Sequence, residues 1–204
     1  MAQFEAASNT WMVALQLAAV GQVLLSQGRF AMAAEVLRGA ATRAPGDLVI
    51  RVAYARALWR LGADRAAIAE LTLALGIDGS DAAALRARGE ILADLGKPVD
   101  ALRDLDRVAS SGSVRVVAAR GLALAELGDY RAARRAAERV ADDDAHNDGT
   151  ALLYAARTLA LCGDDGRAAD LARQAADAAD PPLDPPHEGI ARRLIDRGRG
   201  QPPI

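Results

Sequence analysis

Few residues in this chain could do chemistry: two histidines, one cysteine, a run of aspartates and a set of arginines. His146 and His187 lie far apart in the sequence, with no second histidine, cysteine or serine at a spacing that would build a metal site or an activated nucleophile. The run Asp142-Asp143-Asp144-Ala145-His146-Asn147-Asp148 has the carboxylate density of a calcium loop. Ala155, however, stands where such a loop would need its closing glutamate. The run reads better as a solvated turn that ends in a helix N-cap. Cys162 is alone, which excludes an internal disulfide and a cysteine zinc site. A glycine-rich phosphate loop is also missing. The expectation is a protein that is not an enzyme and takes no cofactor and no metal. What is left is arginine, whose planar fork of donors matches a carboxylate.

The elements that must carry these residues repeat. Gly28, Gly62, Gly96, Gly128 and Gly163 follow one another at spacings of 34, 34, 32 and 35 residues. Four residues before each glycine stands a leucine: Leu24, Leu58, Leu92, Leu124, Leu159. Five after it stands an alanine: Ala33, Ala67, Ala101, Ala133, Ala168. Seven before it the residue is small: Gly21, Ala55, Gly89, Gly121, Ala156. A small residue and a leucine in this arrangement share one helix face, where the small one admits a neighbouring helix. The glycine then ends that helix in the left-handed conformation, and the alanine opens the apolar stripe of a second, antiparallel helix. A period near 34 residues thus predicts an all-α helix-turn-helix array.

Residues 14–47 carry the fullest copy of the pattern, with Gly21, Leu24, Gly28, Phe30, Ala33, Leu37, Ala40 and Pro45. On these residues the chain resembles the tetratricopeptide repeat family over residues 10–180. The resemblance implies a right-handed α-solenoid of about five helix-turn-helix repeats, at 14–47, 48–81, 82–113, 114–148 and 149–180. Residues 1–9 are then an N-terminal lead-in and 181–186 a proline-rich linker. A capping helix is expected over 187–197 and a flexible tail over 198–204, since a terminal repeat needs a cover.

Composition narrows the function classes. Alanine is about a quarter of the chain and aromatics only 3%, which suits closely packed helices. The net charge of −2 offers no general field for nucleic acid. The apolar run Trp11–Leu25 has no lysine or arginine before it and falls in register as the first repeat's first helix. It reads as core, too short to span a bilayer, and the expected setting is cytoplasmic with no membrane contact.

The same resemblance implies a binding groove lined by the first helix of each pair. Its residues are Gln22, Arg56, Trp59, Arg60, Arg86, Glu90, Arg115, Glu126 and Arg157. Five arginines there, in a slightly acidic protein, point to an acidic partner segment, with Trp59 as apolar anchor. The other reading is a self-satisfied ladder, in which Glu90, Asp94 and Glu126 pair with those arginines. The lysine and asparagine clamp by which some members hold chaperone tails is absent, since Ala18, Gln22, Ala53, Ala83 and Ala87 fill its places. The expected function is a non-catalytic scaffold or adaptor for a protein or peptide partner. One alternative is an accessory subunit or homodimer that associates through outer helices such as Ala132–Ala137. Another is a peptide or small-molecule sensor.

Overall fold

The computed structural model describes residues 2–142, 148–178 and 183–199. Among them the chain is all-α, without strands. The helices are α1 (Ala2–Ser26), α2 (Phe30–Arg43), α3 (Leu48–Arg60), α4 (Asp64–Ile77), α5 (Ala82–Asp94) and α6 (Pro98–Leu105). A 3₁₀ segment, Asp106–Ser111, follows, and then α7 (Val114–Glu126), α8 (Tyr130–Ala141), α9 (Gly149–Leu161), α10 (Asp165–Asp177) and α11 (Pro185–Gly198). The chain forms two compact units, Met1–Arg88 and Gly89–Ile204.

The repeating glycine and leucine meet in one backbone motif. All five glycines have positive φ, from 65° at Gly96 to 84° at Gly128. After each, the next residue's N–H reaches back to the carbonyl of the repeating leucine: Arg29 to Leu24, Ala63 to Leu58, Lys97 to Leu92, Asp129 to Leu124 and Asp164 to Leu159. This is a Schellman turn, which satisfies carbonyls that the helix end would leave bare. The leucine side chain can therefore pack while its backbone closes the helix.

The small column explains how closely the paired helices approach. A Cβ built on Gly21 would lie 2.4 Å from Leu37 Cγ, and one on Gly89 would lie 2.6 Å from Leu105 Cγ. The leucine nine residues after the turn glycine thus occupies the volume that a side chain would need. In unit 1 the core is Leu24, Ala33, Ala34, Leu37, Ala53 and Ala57, continued by Ala14, Ala40, Ala41, Ala44 and Ile50. In unit 2 Ala101, Leu105, Ala133, Ala137, Ala168 and Ala172 hold the same places and are buried.

Two elements differ from the periodic expectation. The third repeat is two residues short, and its second helix ends at Leu105 and tightens into 3₁₀ geometry up to Gly112. That segment still delivers Val108 to the core. At the other end, α11 begins at Pro185, inside the span expected as linker. Asp184 caps it by accepting the His187 N–H at 3.0 Å. Proline is tolerated in a first turn because its missing N–H would have no partner there. Helix α11 packs on α10 and α9. Pro181, Pro182, His146 and the tail from residue 200 onward lie outside the described residues, as does most of the Asp142–Asp148 run. Asp148 itself caps α9 through the Ala151 N–H at 3.0 Å.

The N-terminal helix is longer than its apolar run. Asn9–Ser26, with mean hydropathy 1.2, has the length and composition to cross a bilayer, which corrects the expectation that the run is too short. One face of it packs on α2, with Ala14 and Leu24 buried.

Candidate binding site

Unit 1 places three of the expected site residues together. Gln22 from α1, Arg56 from α3 and Arg86 from α5 line a pocket of about 160 Å³, whose other walls include Val49, Val52, Ala53 and Asp81. That volume suits a single side chain, being well below the roughly 300–1,000 Å³ of a drug-sized site. Of the apolar wall, Val49 is 69% exposed, while Val52 and Ala53 are buried. Asp81 is held by its own task, accepting the Ala84 N–H at 2.7 Å to cap α5. The pocket therefore combines an aliphatic floor with two guanidinium groups and one capping carboxylate.

Trp59 and Arg60 are not part of it. Trp59 is only 8% exposed, which corrects its expected role as a waiting anchor. The signal was in the sequence: three residues before each turn glycine stand Leu25, Trp59, Ala93, Ala125 and Ala160, an unbroken apolar column. Arg60 lies over the Phe30 ring, 4.7 Å from its centroid, in a cation–π contact.

In unit 2 the corresponding face is tied up by its own charges. Arg115 makes a two-pronged pair with Asp148, at 2.9 and 3.0 Å. Burial would lower the Arg115 pKa, but the charges of Glu90 and Asp148 hold it above its ordinary value. Glu90 is buried. Arg157 pairs with Asp94 and lies 5.8 Å from the Tyr154 ring centroid. Burial raises the pKa of Glu126, although Arg157 works against this.

Sequence reasoning missed the centre of this cluster. His187, 2% exposed, donates from Nδ1 to Asp184 Oδ1 at 2.6 Å, and its Nε2 lies 3.2 Å from Asp94 Oδ2. Its ring stands edge-on to Tyr154 at 6.3 Å. Burial alone would depress the imidazole pKa, but the hydrogen bonds and charges of Asp184 and Asp94 outweigh that and raise it to about 9. Asp94 answers in kind: burial would raise its pKa, yet His187 and Arg157 hold it below the ordinary value. The cluster is a structural tie between α5, α9 and α11. No group of metal-binding side chains occurs among the described residues.

Two arginines outside the expected groove also find polar contacts. Arg120 Nε donates to Asp106 at 2.8 Å, and Arg88 Nη1 lies 3.4 Å from Thr72 Oγ1.

Paired antiparallel helices, joined by glycine-terminated turns at a fixed period, define the chain as a helical-hairpin repeat protein. Residues 24–91 match the tetratricopeptide repeat family model. Over those residues the chain resembles the tetratricopeptide repeat family. A tetratricopeptide repeat protein from Parabacteroides merdae is similar in fold, with TM-score 0.65, 17% identity, and coverage of 92% of this chain and 73% of that one. A thermophilic family member from Thermus thermophilus gives TM-score 0.68 at 17% identity, covering 89% and 98%. YrrB, described as having an unusual peptide-binding site, gives TM-score 0.56 at 17% identity, covering 96% and 98%. No curated protein matches the chain by sequence.

Proposed function

We propose that this protein is a non-catalytic interaction module that holds an acidic, extended partner segment at the unit 1 pocket. One observation carries the reading: Gln22, Arg56 and Arg86 converge from three helices on a pocket of about 160 Å³, with Val49 exposed beside them. A small aliphatic side chain fits that volume, and a neighbouring carboxylate meets the arginine forks. Arg115 and Arg157 lie in unit 2, bonded to Asp148 and Asp94, and take no part in this pocket. The peptide-binding description of YrrB supports the reading as an analogy of fold.

Fluorescence anisotropy with a labelled peptide of alternating glutamate and valine, against its glutamine counterpart, tests the reading. The acidic peptide is expected to bind at least roughly tenfold tighter, a gap of about 1.4 kcal/mol. Arg56→Glu/Arg86→Glu, with circular dichroism unchanged, should abolish that preference. Equal affinity for the two peptides, or a preference that survives the double variant, would overturn it.

A further inference from the structure

Helix α8 is the second helix of its pair, and its outward half is basic. Ala133, Ala137 and Val140 point inward and are buried, so the core takes part of the alanine run expected as an association surface. Outward, Arg131, Arg134, Arg135 and Arg139 are exposed. Arg131, Arg135 and Arg139 stand four residues apart, in one row that advances about 6 Å per step. Tyr130, 51% exposed, and Arg134 begin a second row beside it. Arg134 donates to the Cys162 carbonyl at 2.6 Å.

The row is not neutralised from within. On the other second helices of unit 2, arginines have partners on their own helix: Arg103 pairs with Asp100 of α6 at 2.7 Å, and Arg173 with Asp170 of α10 at 2.6 Å. Helix α8 has one carboxylate, Glu138, and it reaches across to Arg167 of α10 at 3.7 Å. Among the described residues, Arg131, Arg135 and Arg139 enter no ion pair. Like charges four residues apart repel along a helix. The row is therefore a local cost that an anion from outside relieves.

We propose that this row is a docking surface for an acidic helix of a partner protein, one that carries carboxylates four residues apart. Such a helix repeats at the same step of about 6 Å, so three carboxylates meet three arginine forks in register. Alternate residues of a strand advance about 6.7 Å and drift out of step. Tyr130 supplies a rigid contact at one end, and tyrosine and arginine are the residue types favoured at binding hot spots. The basic row is short, about 12 Å long, with Asp129 and Asp142 at its two ends. Beyond it the surfaces of α6 and α10 hold their own ion pairs, and unit 2 as a whole has more Asp and Glu than Lys and Arg. A nucleic-acid strand or an anionic bilayer spreads over that wider surface and gains nothing there. Docking on α8 stands independently of peptide binding at the unit 1 pocket.

Fluorescence anisotropy at low ionic strength tests the proposal. The probes are a labelled alanine-based helical peptide with glutamate at every fourth position and its glutamine counterpart. Exposed ion pairs are individually weak, so three of them should give about a tenfold preference for the glutamate peptide, fading as salt is added. Arg131→Gln/Arg135→Gln/Arg139→Gln, with unchanged circular dichroism, should remove that preference. Two control variants should keep it: Arg103→Gln/Arg173→Gln, at arginines already paired, and Arg56→Glu/Arg86→Glu, at the unit 1 pocket. Equal binding of the two peptides would overturn the proposal, as would a preference that survives the triple variant or disappears in either control. Tighter binding of oligothymidylate than of the glutamate peptide, lost in the triple variant, would overturn it in favour of nucleic acid.

Discussion

Raising the pH should loosen the C-terminal helix, and the size of the effect follows from the surroundings of one imidazole. His187 is held by Asp184 from its own helix cap and Asp94 from α5, with Tyr154 of α9 edge-on to its ring, and Arg157 pairs with the same Asp94. Its pKa rises from an ordinary 6.5 to about 9. A folded-state pKa above the unfolded one means that the stabilisation is fully present below pH 6.5 and is lost as the pH climbs through 9. At about 1.4 kcal/mol per pH unit the difference amounts to about 3 kcal/mol. Asp94, held below its ordinary value, acts in the opposite sense, and its contribution disappears only as the solution becomes strongly acidic. Urea denaturation followed by circular dichroism from about pH 6 to about pH 10, for native protein and His187→Gln, measures the effect. The native midpoint should fall across that window, while the variant, which cannot titrate there, should start lower and stay nearly flat. Parallel curves for the two proteins, or a native protein that gains stability as the solution becomes more alkaline, would refute the reasoning.

Two further outcomes follow from packing and capping. Gly21→Ala drives a methyl into Leu37 and should destabilise unit 1 by about 1–3 kcal/mol in thermal or urea melts, and combining it with Leu37→Ala should cost less than the sum of the two single losses. Asp148 both caps α9 and pairs with Arg115, so Asp148→Asn keeps the cap and loses the ion pair. It should melt above Asp148→Ala by an amount equivalent to about 1 kcal/mol.

What the residue pattern reveals is what the backbone decides locally. The glycine and leucine columns belong to a single turn motif whose donors and acceptors lie within six residues, so the hairpins are legible from spacing alone. Gly21 and Gly89 are equally legible, because close helix approach demands a small residue at a fixed offset. The site is legible only in part. Gln22, Arg56 and Arg86 converge because equivalent positions on successive first helices share a face. Trp59 is misplaced by its residue type, which suggests a binding anchor, whereas its column, apolar in every copy, marks an inward position. In the junction, the pairing of Asp94 with a groove arginine is legible as part of the self-satisfied ladder, whereas Asp184 and His187 leave no trace in any column, since they lie beyond the last repeat and no periodicity links them. The 3₁₀ segment after Leu105 reflects a repeat two residues short, and the spacing alone does not show which helix absorbs the deficit.

That junction also bears on how the molecule comes apart. A repeat protein whose modules touch only their neighbours melts like a row of beads, fraying from either end as each interface gives way. Asp94 breaks that rule, because it holds Arg157 and His187 at once, so a residue near the start of unit 2 is fastened to its last helix. The intervening repeats are enclosed in a loop of the chain and cannot peel off one at a time while the clasp is shut. Unit 2 should therefore resist fraying and open as a block. Removing one of its repeats would sacrifice the clasp together with the module.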